Sequence, residues 1–155
     1  MIKTYKKRPY YQDKIAPFID SDLIKVLIGQ RRVGKSYILL QLMDEIKAKD
    51  NSANIVYINK EENEYDSIIN YRDLISYAEK HIINGVKNYL FIDEIQDIEN
   101  FEKALRHLAS KKVFDLYCTG SNAKLLSSEI ATGLSGRYIE IPIHALSFKE
   151  FLFFQ

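Results

Sequence analysis

The sequence predicts a three-layer α/β domain, in which a parallel five-stranded sheet carries helices on both faces. Five short apolar segments alternate with helical patterns along the chain, and this alternation is typical of a parallel sheet. The segment 89–92 is apolar throughout, as expected for a strand that is buried on both faces. A chain of 155 residues fits one domain, which can bury roughly 70% of its unfolded surface.

Each element is predicted from the spacing of its apolar residues, which recur every second residue or continuously in strands and every three or four in helices. The predicted strands are Leu23–Ile28, Asn54–Asn59, Tyr89–Ile92, Val113–Thr119 and Tyr138–Ile141. The predicted helices are Ser36–Lys47, Tyr71–Ile83, Phe101–Ala109 and Ala123–Ser128.

The loop after the first predicted strand has the spacing of a phosphate-binding P-loop. Residues 29–36 read G-Q-R-R-V-G-K-S, which matches G-x-x-x-x-G-K-[ST] between a strand and a helix. Glycines let the loop curl so that backbone N–H groups and the helix N-terminus face a phosphate. Lys35 is expected to reach the β- and γ-phosphates, and the Ser36 hydroxyl to bind Mg²⁺. The predicted nucleotide-binding residues are Gly29, Gln30, Arg31, Arg32, Val33, Gly34, Lys35 and Ser36.

Two acidic residues end the third predicted strand, at the sheet edge where open α/β sheets bind ligands. Asp93 is predicted to bind Mg²⁺ directly or through water, as a Walker B carboxylate does. Glu94 is a candidate base for orienting an attacking water. A water-activating glutamate favours hydrolysis over phosphoryl transfer to another acceptor.

Two later segments offer further candidates, each with a simpler alternative. Ser121 or Asn122, at the end of the fourth strand, can hydrogen-bond the γ-phosphate or the attacking water, with Asn122 preferred; Asn122 is equally able to cap the next helix. Arg137 precedes the last strand and is a candidate arginine finger for a nucleotide on a neighbouring subunit. The alternative is a surface arginine in a glycine-rich turn.

These motifs together resemble the AAA+-like P-loop ATPases, and most of all prokaryotic predicted ATPases with an N-terminal ATP-binding domain. The resemblance rests on Ile28–Ser36, Phe91–Gln96, Thr119–Asn122, Leu134–Tyr138 and Leu146–Phe151. It implies a P-loop NTPase fold with the Asn54–Asn59 strand at one edge and the Val113–Thr119 strand between the two motif strands. It also implies ATP and Mg²⁺ as cofactors, Asn122 as sensor, Arg137 as finger, and a mobile C-terminal part.

Composition limits the partners and the compartment. Lys and Arg number 22 against 21 Asp and Glu, so the charge balance does not call for nucleic acid, although a nucleic-acid motor is a further alternative. A single cysteine, no apolar leader and no apolar run of membrane-spanning length predict a cytoplasmic protein without membrane contact. None of the three histidines has ligand spacing, so no zinc is predicted.

The two ends of the chain are predicted to differ from the core domain, residues 23–146. Residues 1–22 form an N-terminal arm, whose basic cluster Lys3–Arg8 is expected to be solvated. The segment from Arg8 to Tyr11 is also a candidate for packing against an adenine ring. Residues 147–155 begin with a capping-box pattern and read as the start of a C-terminal helix that is cut from a longer protein.

The sequence therefore predicts an ATP-binding, Mg²⁺-dependent ATPase domain that is activated by self-association. The main alternative is a nucleotide switch that recruits a protein partner and hydrolyses ATP slowly.

Overall fold

Five parallel strands form one sheet in the computed structural model, which describes residues 6–121, 131 and 133–155. The strands run in the order β2-β3-β4-β1-β5, so the predicted parallel sheet is confirmed. β2 lies at one edge, and β4 lies between β1 and β3, as the family resemblance implied. The bounds are β1 Ile24–Ile28, β2 Asn54–Asn59, β3 Asn88–Asp93, β4 Phe114–Gly120 and β5 Tyr138–Pro142.

Five α-helices are present among the described residues: α1 Pro9–Ile15, α2 Lys35–Lys49, α3 Tyr71–Lys80, α4 Phe101–Lys111 and α5 Phe148–Phe154. Three short 3₁₀ turns cover Ala16–Phe18, Asn63–Tyr65 and Ile95–Asp97. A capping box at Asn70 and Asp73 starts α3, and another at Ser147 and Glu150 starts α5. The predicted helix Ala123–Ser128 lies outside the described residues.

The helices cover both faces of the sheet, which confirms the layered architecture. In β3 alone, Leu90 and Ile92 point to one core and Tyr89 and Phe91 to the other, because successive side chains of a strand alternate. On the first face the sheet packs against α3 and α4, and on the second against α1 and α2. Because the strands are parallel, their C-terminal ends lie together along one edge of the sheet, where the loops after β1, β3 and β4 meet.

The segment before β1 is more ordered than the sequence predicted. Pro9 begins α1, a position that suits its fixed φ and missing N–H, and Tyr11 and Ile15 lie in the core. Arg8 is only 5% exposed, so the expectation of a solvated basic cluster is wrong for this residue. The reason is tertiary: its guanidinium has carbonyl and carboxylate partners from distant parts of the chain.

Candidate functional site

The P-loop leaves β1 through a position that only glycine fits. A Cβ on Gly29 would lie 2.3 Å from the carbonyl oxygen of Ile143, well inside van der Waals contact. Gly34 has φ +96°, a conformation that glycine adopts without steric cost. Both glycines of the motif are therefore required by the backbone, which passes close to the end of β5 and turns sharply into α2.

Lys35, the first residue of α2, reaches back across the loop. Its buried ammonium donates hydrogen bonds to the carbonyl oxygens of Gly29 at 2.7 Å and Gln30 at 2.6 Å. Burial lowers the pKa of Lys35, whereas the nearby negative charges of Glu94 and Asp93 raise it. The ammonium is thus held by neutral carbonyls that a phosphate can replace as partners.

The acidic pair at the end of β3 is held in place by hydroxyl groups of the neighbouring strands. Asp93 accepts hydrogen bonds from Thr119 Oγ1 at 2.5 Å and from Tyr57 Oη at 3.2 Å. The Glu94 backbone N–H donates to the same Thr119 Oγ1 at 2.9 Å. Burial, followed by the charge of Asp93, raises the pKa of Tyr57, so this hydroxyl stays protonated and donates to the carboxylate.

The Glu94 side chain is turned toward the end of β4. Its Oε2 accepts a hydrogen bond from Ser121 Oγ at 2.9 Å and another from Gln96 Nε2. The residue has φ 57°, a left-handed conformation that is uncommon outside glycine. Ser121 thus lies beside the candidate base, whereas Asn122, the preferred sensor, lies outside the described residues.

Neither carboxylate has a cation within ion-pair distance among the described residues. Asp93 is 1% exposed and Glu94 6%, and buried charges are normally paired or bound to a metal. Asp93 accepts hydrogen bonds from two hydroxyls and keeps lone pairs for a hard cation such as Mg²⁺, which prefers oxygen ligands. The residues present therefore fit the predicted metal.

A cavity of about 580 Å³ opens over the P-loop, within the usual size range of small-molecule sites. Cationic side chains dominate its polar lining, and Leu146 and Phe154 add apolar walls. Its lining residues are Arg8, Arg31, Arg32, Val33, Gly34, Lys35, Ser36, Tyr37, Glu61, Glu94, Leu146 and Phe154.

Two other predicted nucleotide-binding residues, Gly29 and Gln30, line a neighbouring hollow of about 410 Å³ with Ser121 and residues 142–145. Asp93 is buried and lines neither cavity. In the segment expected to pack against an adenine ring, Arg8 lines the larger cavity, whereas Tyr11 is buried in the core.

Arg137 is not brought to the site of its own chain. It is exposed, and its carbonyl oxygen accepts a hydrogen bond from the N–H of Ile24 at 2.8 Å, at the start of β1. The P-loop begins at the other end of that strand, roughly 13 Å away at the rise of a parallel strand. A role for Arg137 in a neighbouring subunit stays a prediction, and so does the surface-arginine alternative.

Several residues of the site have contacts that the sequence analysis did not predict. Thr119 and Tyr57 lie within strand patterns, and nothing in those patterns indicated that their hydroxyls hold Asp93. Arg8 was considered as part of a basic run and of a segment beside the adenine, not as a partner of the P-loop. Leu146 and Phe154 follow β5, and only the fold shows that the chain returns there to the P-loop.

The sequence is similar to a protein family and to two curated proteins. A family model described as an AAA domain matches residues 21–152. An uncharacterized protein of Haemophilus influenzae is 44% identical over 154 residues, covering 98% of this chain and 38% of that protein. An uncharacterized protein of Methanocaldococcus jannaschii is 42% identical over 134 residues, covering 85% of this chain and 29% of that protein. The chain therefore spans about a third of the length of these relatives.

Solved structures of P-loop ATPases share the fold. Saccharomyces cerevisiae Hsp104, in its complex with casein, aligns with a TM-score of 0.69 at 16% identity, over 96% of this chain and 28% of that chain. The Aeropyrum pernix ORC1 protein, in complex with DNA, aligns with a TM-score of 0.64 at 12% identity, over 94% and 46% respectively. These similarities confirm the predicted P-loop NTPase fold. Among the described residues, no helix is long and apolar enough to cross a membrane.

Proposed function

Because the chain belongs to the AAA domain family, we propose that it binds ATP with Mg²⁺ and hydrolyses it to ADP and phosphate. The observation that carries the proposal is the pair of buried carboxylates, Asp93 and Glu94, beside a P-loop lysine. Among the described residues, the carboxylates have no ion-pair partner, and the lysine ammonium donates hydrogen bonds to backbone carbonyls. Such a site offers a ligand one positively charged ammonium and two negatively charged carboxylates. A magnesium–nucleotide complex supplies the opposite charges in one molecule.

The binding roles follow from position. The triphosphate lies over the P-loop, where Lys35 exchanges its carbonyl partners for phosphate oxygens and the start of α2 contributes N–H donors. Ser36 and Asp93 would hold Mg²⁺, which would neutralise charge on the phosphates. Arg31 and Arg32 line the same cavity and add positive charge at its mouth, while Leu146 and Phe154 offer apolar contact to the base.

The catalytic role falls to Glu94. Its carboxylate orients a water molecule and accepts its proton as the water oxygen attacks the γ-phosphorus and the bond to the β–γ bridging oxygen breaks. Ser121 and Gln96 already donate hydrogen bonds to Oε2 of this carboxylate. Glu94 therefore works best once these donors have turned to the water or to the γ-phosphate.

The same hydrogen bonds favour a second candidate function. A carboxylate that stays engaged by Ser121 and Gln96 leaves ATP bound but hydrolysed slowly, and the domain then acts as a nucleotide switch for a protein partner. Self-association with Arg137 completing a neighbour's site is the alternative route to full activity. Arg137 is exposed at the edge of the sheet away from its own P-loop, which is compatible with such a role.

ATP binding and turnover per protomer, measured over a wide range of protein concentration, test these functions. We expect wild type to bind Mg-ATP and Lys35→Ala to lose at least 100-fold in affinity, because several charged hydrogen bonds disappear. Retained affinity in Lys35→Ala would refute the assignment of the site. Specific activity that rises with concentration and collapses in Arg137→Ala supports the assembling ATPase. Tight binding with negligible, concentration-independent turnover supports the switch.

A further inference from the structure

One buried arginine joins three separated parts of the chain beside the P-loop. Arg8 Nη1 donates to the carbonyl oxygen of Val33 at 2.8 Å, and Nη2 donates to the carbonyl oxygen of His144 at 2.9 Å. Nε and Nη2 also donate to the two carboxylate oxygens of Glu150, at 2.8 and 3.1 Å. Arg8 thus connects the phosphate-binding loop, the segment after β5 and the helix α5.

The contact with Val33 fixes the direction of a neighbouring N–H group. A peptide unit is planar and trans, so the carbonyl of Val33 and the N–H of Gly34 point in opposite directions. Because that carbonyl faces Arg8, the Gly34 N–H is turned away from Arg8. N–H groups of this loop are the donors that hold a phosphate, and preformed donors bind better than donors that must first be ordered.

The orientation of Arg8 depends in turn on α5. Glu150 binds the guanidinium through both oxygens, a paired geometry that specifies direction as well as distance. Its Oε2 also accepts the N–H of Ser147 at 2.8 Å, as part of the cap of α5. When α5 moves away, Arg8 therefore loses its only ion-pair partner among the described residues.

We propose that Arg8 is a positioning residue that couples α5 to the P-loop, so that docking of α5 and binding of nucleotide strengthen each other. This inference rests on the proposed ATP-binding function. Docked α5 holds Arg8 through Glu150, and Arg8 holds the Val33–Gly34 peptide in the orientation that a phosphate needs. By reciprocity, a bound phosphate fixes that peptide and makes the docked position of α5 more favourable.

Backbone hydrogen exchange without nucleotide tests the structural link separately from ATP binding. Glu150→Gln removes the charge that orients Arg8 yet retains an oxygen that can accept the N–H of Ser147, so the cap survives. We expect this variant to exchange faster both in α5 and, at a distance, in residues 29–36. Lys7→Gln, which removes an exposed charge one residue from Arg8, is the matched control and should leave both segments unchanged. Unaltered exchange of residues 29–36 in Glu150→Gln would overturn the coupling.

Nucleotide binding supplies the second part of the test. Mg-ATP should slow exchange in α5 of the wild type, where Phe151 and Gln155 donate to Ser147 and Phe151. In Arg8→Lys, which cannot make the paired contact, we expect about 10-fold weaker Mg-ATP binding, the equivalent of one charged hydrogen bond, and no protection of α5. If Mg-ATP binds the wild type without protecting α5, the coupling is refuted while the proposed function stands. If Mg-ATP does not bind, the proposed function fails, and the nucleotide-free comparison still decides the coupling.

Discussion

Two clusters of buried charged side chains lie at opposite edges of the sheet, one where the strands begin and one where they end. The two clusters differ in whether their charges are paired. At the edge where the strands begin, fully buried Lys25 pairs with Asp115, whose carboxylate also accepts from Tyr117 Oη at 2.7 Å and the Asp20 N–H at 2.9 Å. At the edge where the strands end, Asp93 and Glu94 are as deeply buried, but their hydrogen-bond donors among the described residues are all uncharged.

The difference separates a structural cluster from a binding site. Burial lowers the pKa of Lys25, and Asp115 opposes that shift, while burial and the charge of Asp115 raise the pKa of Tyr117. The chain itself completes this cluster. The carboxylates beside the P-loop stay incomplete, and incomplete buried charge at a cleft indicates a ligand. Replacing an aspartate by asparagine should therefore lower the free energy of unfolding at the first cluster and raise it at the second.

Glu94→Gln should produce the largest effect, on catalysis alone. Loss of the proton acceptor is expected to reduce single-turnover hydrolysis about 10²- to 10⁴-fold, with Mg-ATP affinity retained because the amide keeps the shape of the side chain. Quenched-flow measurement of ADP formation, with binding titrations alongside, checks this. Unchanged turnover would give Glu94 a purely structural role.

Asp115→Asn should produce the largest effect on stability. The change leaves the buried ammonium of Lys25 without its carboxylate, and breaking a buried pair in this way costs about 3–5 kcal/mol. Urea unfolding monitored by circular dichroism measures it. A loss below about 1 kcal/mol, small against the cost of an unpaired buried charge, would show that the cluster is open to water.

Asp93→Asn applies the same chemical change at the other edge and should act in the opposite direction. Without nucleotide, the free energy of unfolding is expected to rise by up to about 1 kcal/mol, because an uncompensated buried charge is removed from a functional site. The hydroxyls of Thr119 and Tyr57 can rotate to accept from the amide. The gain in stability should come with loss of Mg²⁺-dependent nucleotide binding. Destabilisation comparable to that of Asp115→Asn would contradict the comparison.

The smallest expected effect is the pH dependence of the stability that Glu150 contributes. Hydrogen bonding to Arg8 lowers the pKa of this carboxyl to about 2, from an ordinary 4.5. A lowered pKa in the folded state stabilises the protein above pH 4.5, and this contribution is lost as the pH falls from 4.5 toward 2. The difference in thermal midpoint between wild type and Glu150→Gln should therefore shrink between pH 5 and pH 3. A constant difference would mean that charge is not what Glu150 contributes.

Most of the fold could be predicted from the sequence because its signals are local. The continuous apolar run before Asp93 and the alternating segments identified every strand of the described sheet to within two residues. Element ends were less accurate: α3 stops at Lys80, three residues before the predicted end at Ile83. The helix α1 was missed, since seven residues give too little periodicity and a preceding basic run suggested a solvated arm.

In the candidate site, too, the features with local sequence signals could be predicted and the others could not. The P-loop and the acidic pair have fixed spacing and strand context, so Lys35, Ser36, Asp93 and Glu94 were predicted from the sequence. Their roles in binding and catalysis stay proposals. Thr119, Tyr57 and Arg8 reach the site from other elements. No pattern in the chain pairs Arg8 with Glu150, which lies 142 residues away.

The sequence by itself determined the succession of strands and helices along the chain, the phosphate-binding loop and the acidic end of β3. Each of these depends on residues that are close together in the chain. Only the tertiary structure decided which buried charges are satisfied. It pairs Lys25 with Asp115, brings Glu150 to Arg8 and gives Asp93 and Glu94 no cation from the part of the chain that the structure describes. Pairing depends on the positions of residues distant in sequence, and the burial that makes an unpaired charge costly exists only once the sheet and its helices have packed.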